Sequence, residues 1–167
     1  NFPDPNFKNA LVNTKCVDTD GINGPDVDAD LNNDGEIDMS EAADVASFIF
    51  EVNNIASLDG MNNFINLQNL KLHNLPFLKK LEFRHLKNLV HLTCNFTPSL
   101  KSIKLDSLPV FKNLHIYDSS LDTLLLGKLE SLDSLFIHET KLKTISLDSL
   151  VLTKLTFSNN FFLKNIH

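Results

Sequence analysis

The sequence predicts a repeat solenoid, mainly β with extended segments on both sides, closed at its N-terminal end by a small helical cap. Three observations predict it. The pattern L-x-x-L-x-L, with Ile, Phe or Cys at some positions, returns nine times from Leu67 onward at starting positions 67, 78, 89, 100, 111, 121, 132, 142 and 152, and "LKNI" begins a tenth at 163. The ten- or eleven-residue step pairs into units of about 21 to 22 residues, such as 100–120, 121–141 and 142–162. Residues 1–51 hold twelve Asp or Glu against two Lys, while residues 52–167 hold nine acids against thirteen Lys or Arg, so the front of the chain is chemically distinct. The cap is assigned to residues 1–44 and the repeats to residues 45–167.

The cap opens with "FPDPNFKNALV". Asp4 before Pro5 is a helix start, and Phe7, Ala10 and Leu11 then fall on one stripe. The stretch "VDTDGINGPDVDAD" follows, with Asp18 and Asp20 at the first and third positions of a calcium-loop template. Ile22 and Asn23 stand where that template expects an oxygen ligand and a glycine. Asp26 or Asp28 either completes a second site or merely borders the next loop.

That next loop, "DLNNDGEIDMSE" at residues 30–41, matches the template throughout. Asp30, Asn32 and Asp34 take positions 1, 3 and 5, and Gly35 permits the reversal. Glu36 offers its carbonyl at position 7, Ile37 is the apolar anchor, Asp38 takes position 9 and Glu41 closes the shell at position 12. A hard cation wants six to eight oxygens, and this spacing supplies them, so calcium is the expected cofactor. "MSEAADVA" then has the Ala and Glu content of a short helix. An acidic block of net charge −10 repels itself unless neutralised, and some 44 residues are too few for a core of their own, so bound metal would supply the order.

Within the repeats, each L-x-L alternates in and out, the period of a strand. One strand buries one face only, so its neighbour must stack on it. Six residues on each of two extended segments leave four or five per turn, too few for an α-helix. "VASFIFEVNN" supplies an earlier half-unit. Cys94 falls at an inward position and Cys16 in the acidic region, and no CxxC suggests zinc or redox chemistry.

"NLQNLKLHNL", "LKKLEF" and their successors resemble leucine-rich repeats of the short 21-residue nested type found in secreted and surface proteins of Bacteroidetes-like bacteria. "FPDPNFKNAL" and "DADLNNDGEIDMSEA" resemble the N-terminal cap that precedes such repeats. The asparagine usual after each strand is often replaced: Leu75, Asp118 and Glu139 lie near its place. The resemblance implies a secreted or cell-surface location.

The alternation sorts outward side chains into two faces. One carries Asn69, His91, Asn113, Ser134 and Lys154, then Lys71, Thr93, His115, Phe136 and Thr156, then His73, Asn95, Tyr117, His138 and Ser158. The other carries the mixed charges of Lys80, Glu82, Arg84, Lys104, Asp106 and Asp148. Aromatic and histidine rows with few charges read as an interface centre. Tyr117 and Phe136 are the expected anchors, with His91, His115 and His138 beside them; a half-wet sheet held by cross-strand aromatic pairs gives the same letters. His115 and His138 also invite zinc, but no carboxylate or cysteine shares their rows.

No catalytic motif is present, no uncharged apolar run is long enough to span a bilayer, and the positive charge is too scattered for a nucleic-acid footprint. The expected function is a non-catalytic adhesion module that takes a protein ligand, less readily a glycan. An architectural spacer and a dockerin-like use of the acidic loops are the alternatives. "FFLKNIH" begins another half-repeat, so the reading expects an open C-terminal end, with truncation of a longer protein or end-to-end self-association as its consequence.

Overall fold

The computed structural model describes residues 1–22, 24–51, 54–148 and 150–167. Its main sheet is six parallel strands stacked in the order β1 (Ser47–Glu51), β2 (Asn69–His73), β4 (His91–Thr97), β6 (Asn113–Ser119), β8 (Ser134–His138) and β10 (Lys154–Ser158). Between them run β3 (Lys80–Arg84), β5 (Ser102–Asp106) and β7 (Thr123–Leu126), which form a second sheet on the opposite side. The short β9 (Thr144–Ile145) and β11 (Asn165–Ile166) pair separately. The chain is therefore a parallel β-solenoid, as the repeat period requires.

The register follows the leucines. Ser47 lies beside Asn69, Asn69 beside His91 and His91 beside Asn113, each a step of 22 residues. Asn113 to Ser134 is a step of 21, and Ser134 to Lys154 is one of 20. The turns thus shorten toward the C-terminus, in step with the starting positions 67, 89, 111, 132 and 152 of the pattern. Inward leucines and their equivalents form continuous buried columns, for example Leu70, Leu92, Leu114 and Leu135. One column becomes polar along its length, running from Leu75 through Thr97, Ser119 and Thr140, all buried. Ser119 Oγ accepts from Leu121 N, and Thr140 Oγ1 donates to Asn160 Oδ1 at 2.7 Å, so those hydroxyls are satisfied.

Two helices make the cap: α1 (Pro5–Asn13) and α2 (Met39–Asp44). α1 buries Phe7, Ala10 and Leu11, the stripe expected from its spacing. Between the helices the chain at Val17 bridges antiparallel to Val27 on one side and Phe48 on the other. Asp18 N donates to Ser47 O and Ile49 N to Cys16 O, so the outer edge of β1 is covered rather than left open. Both cysteines are free and buried, and burial pushes each thiol up to about 12, which leaves them inert at neutral pH. At the far end Leu155, Phe161, Phe162 and Ile166 are exposed.

Asp4 ties α1 to the first turn of the solenoid. One carboxylate oxygen accepts from Asn6 N and Phe7 N, and the other from Ala56 N at 2.7 Å and Ser57 N at 2.8 Å. Burial opposes its ionisation, but the four backbone donors outweigh that and hold the carboxyl below its usual range. A depressed folded value means stability is present above the ordinary carboxylate range and is lost as pH falls through the folded value. Asp4→Ala is expected to cost about 2–4 kcal/mol, the loss of a helix cap and two further charged hydrogen bonds. A denaturant titration at neutral pH checks this, and the deficit should shrink in strong acid.

Candidate functional site

The chain offers two places for chemistry: the acidic loops of the cap and the outer face of the six-stranded sheet.

In the 30–41 loop, Asn33 and Gly35 take left-handed backbone, at φ 59° and 83°, which folds the segment back on itself. Asp30 accepts from Asp34 N at 3.1 Å and Gly35 N at 2.8 Å. Asn32 Oδ1 accepts from Asp34 N, and Asp34 Oδ1 from Glu36 N. Glu41 reaches back, with one oxygen on Asn32 N at 3.1 Å and the other on Asp38 N at 2.9 Å. Asp38 caps α2 and completes a reciprocal capping box with Glu41. The hydrogen bond from the Glu41 backbone, with those from Ser40, holds the Asp38 carboxyl below its usual range. Glu36 instead pairs with Lys8 of α1, and Ile37 packs against the core as its anchor position requires.

Asp30 and Glu41 are only 3% and 4% exposed, and among the described residues no basic side chain forms an ion pair with either. Two buried carboxylates closing one loop without a countercharge are costly. An oxygen-only donor set around them fits a hard divalent cation.

The preceding loop is tighter than its sequence promised. Asp18, Asp20 and Asp26 bring carboxylate oxygens within 4.8 Å of one another, whereas Asp28 is not in that group. Asp26 is fixed by the Thr19 backbone N–H and hydroxyl, both at 2.9 Å, and these hold its carboxyl below the usual range. Asp18 accepts from Gly21 N and Asp20 from Ile22 N. Asn23 lies outside the described residues.

On the sheet face the expected cluster forms. The Tyr117 and Phe136 rings lie 4.8 Å apart at 30°, and His115 stands 6.0 Å from Phe136 and 6.4 Å from Tyr117. His138 lies 6.4 Å from both Tyr117 and Phe136. His91 does not join the rings. Its Nδ1 pairs with Asn113 Nδ2 at 2.7 Å, beside a shallow hollow lined by Asn69, Lys71, Thr93 and His115. Burial lowers the His91 value, helped by His115 and Lys112, and burial alone lowers that of His115. Both shifts favour the neutral imidazole, and Asn69, Lys71, Thr93 and Asn113 give this part of the face a polar edge. Ser134, expected outward, is covered.

Two features of this face were missed. At or just after the C-terminal end of each strand of the main sheet from β2 on stands a residue of left-handed backbone: Asn74, Phe96, Asp118, Glu139 and Asn159, with φ between 48° and 55°. The corner is one residue earlier than Leu75, so the left-handed residue of this turn is Asn74 and Leu75 follows it into the core. Phe96 in this column is 51% exposed and stands edge-on to His73 at 5.7 Å. A phenylalanine in left-handed backbone is strained. The substitution Phe96→Asn is expected to stabilise the fold by about 1 kcal/mol, raising the melting midpoint by about 2–4 °C. Second, the corners bring Asp118 and Glu139 to His138, carboxylates that lie outside the outward rows and so were not weighed beside the histidines.

The opposite sheet carries exposed ion pairs, Arg84 to Glu82 at 2.9 Å and Lys104 to Glu82 at 3.5 Å, of the kind that contributes little. No helix among the described residues is long and apolar enough to cross a membrane. No family model and no curated protein matches the chain.

Proposed function

We propose that this chain is a secreted or surface-exposed recognition module of the bacterial leucine-rich-repeat type, non-catalytic, with structural calcium in its cap. The observation that carries the reading is the asymmetry of the two faces. One holds contiguous rings, Tyr117, Phe136, His115 and His138, while the other is a solvated mixture of Lys, Arg, Glu and Asp. Rigid aromatic side chains with two torsions lose little entropy on binding, and strands hold them in fixed register. A protein ligand fits this face better than a glycan because the rings are packed against one another with few hydroxyl-directed donors between them.

Calcium's part is support. Asp30, Asn32, Asp34, Glu41, the Glu36 carbonyl and Asp38 would hold the ion, with Asp18, Asp20 and Asp26 beside them. An ion there neutralises buried charge and fixes the cap over the first strand. At the millimolar calcium of extracellular fluid even a weak site stays filled, which suits a permanent strut.

The test is an array of extracellular-matrix proteins, bacterial surface proteins and polysaccharides, probed with the chain in calcium. Saturable binding to a protein class is expected. Silence across the array with the fold intact by circular dichroism would move the reading to an architectural spacer.

A further inference from the structure

The geometry points to a second metal site, separate from the cap: Asp118, His138 and Glu139 form a three-ligand site for a first-row divalent ion such as Zn2+, at the edge of the aromatic face. Their ligand atoms, two carboxylate oxygens and one imidazole nitrogen, all lie within 4.8 Å of one another. An ion with bonds of about 2.0–2.2 Å places its ligand atoms about 3–4 Å apart, so side-chain rotation alone can close this set.

Three further observations bear on it. His138 Nδ1 lies 2.7 Å from Ser158 Oγ, and Nε2 faces Glu139 Oε1 at 3.4 Å. An imidazole bonded to the protein through one nitrogen and presenting the other to carboxylates has the orientation that metal-bound histidines are given by their supporting partners. Asn159 Nδ2 donates to Glu139 Oε1 at 3.2 Å, steadying the second ligand from the next turn. Asp118 and Glu139 also stand together at the corners of neighbouring turns, with carboxylate oxygens inside that same distance. Two carboxylates brought this close are relieved by a cation between them.

The imidazole decides the class of ion. Calcium takes oxygen ligands, whereas nitrogen with carboxylate suits zinc, manganese and their neighbours. The ligands come from the corners of two successive turns, so the site exists only in the folded solenoid. Three protein ligands leave coordination positions for water or for a donor atom of whatever docks on Tyr117 and Phe136. This inference does not depend on the calcium reading of the cap.

Isothermal titration of ZnCl2 into the whole chain, in millimolar CaCl2 so that oxygen-only sites are saturated, tests it. One ion per chain is expected, with affinity falling at least tenfold in His138→Gln and in Glu139→Gln and unchanged in His85→Ala on the opposite corner. Ser158→Ala is expected to weaken binding roughly tenfold, as loss of a supporting hydrogen bond does. Circular dichroism confirms that each variant is folded. No saturable binding by the wild type, or equal affinity in the His138 and Glu139 variants, overturns the assignment.

Discussion

Phe64→Ala is expected to destabilise the chain by about 3–5 kcal/mol, the range for removing a buried aromatic ring. Phe64 is fully buried where the cap meets the solenoid. Its ring stands edge-on to Phe48 of β1 at 4.8 Å and tilted against Phe2 at 6.0 Å. Phe2 in turn meets Phe7 of α1 at 5.4 Å, and Phe7 meets Phe50 at 5.7 Å. The five rings form one closed cluster linking the N-terminus, the first helix, the first strand and the turn that follows it. Alanine leaves a cavity that none of these neighbours can fill without breaking another edge contact. For a chain of this size each kcal/mol moves the midpoint by about 2–4 °C, so a fall of roughly 6–20 °C should appear in a calorimetric melt. Phe77→Ala, at an exposed position, should change stability by less than about 0.5 kcal/mol. Equal effects of the two variants would mean that the cap does not dock as described.

Calcium withdrawal is also expected to have a large effect. Without the ion, Asp30 and Glu41 remain buried with only backbone N–H groups for company. If calcium is present at about a hundred times the dissociation constant, its removal takes away about 2.7 kcal/mol. A drop of about 5–11 °C on adding chelator follows. Glu41→Gln removes the closing charge, and the variant's midpoint should be the same with calcium and with chelator. A wild-type midpoint indifferent to chelator would contradict the metal reading of the loop.

The solenoid was legible because leucine spacing is itself the structural constraint. An L-x-L triplet can bury its two leucines only on a strand, and a constant step forces those strands into register. The helix at Pro5–Asn13 was legible for a local reason, a capping aspartate before proline. What periodicity could not show lies between the periods. The corner at Asn74, Phe96, Asp118, Glu139 and Asn159 is a backbone conformation, and Phe and Glu are not residues that announce it. Asp118, near the end of β6, and Glu139, just after β8, lie at the corners, outside the rows that alternation generates, so their convergence on His138 was invisible. Gly127 is a similar case. A Cβ there would fall 2.2 Å from Asp106 Oδ1, which also accepts from Lys128 N, so the glycine is set by a neighbour one turn away. The hydroxyl column Thr97, Ser119 and Thr140 stands where the leading repeat has Leu75, a drift that a consensus read from its leucines passes over.

The most direct test of recognition through the six-stranded face compares two double variants against the tightest protein binder of the array, in calcium. Tyr117→Ala with Phe136→Ala strips the ring platform. Lys80→Ala with Lys104→Ala strips the opposite sheet by the same number of side chains. Loss of about 2 kcal/mol or more at interface anchors corresponds to at least a thirtyfold weakening, which the first pair should show. The second pair should bind as the wild type does. Binding kept by the ring variant and lost by the lysine variant would place recognition on the other sheet and contradict the account.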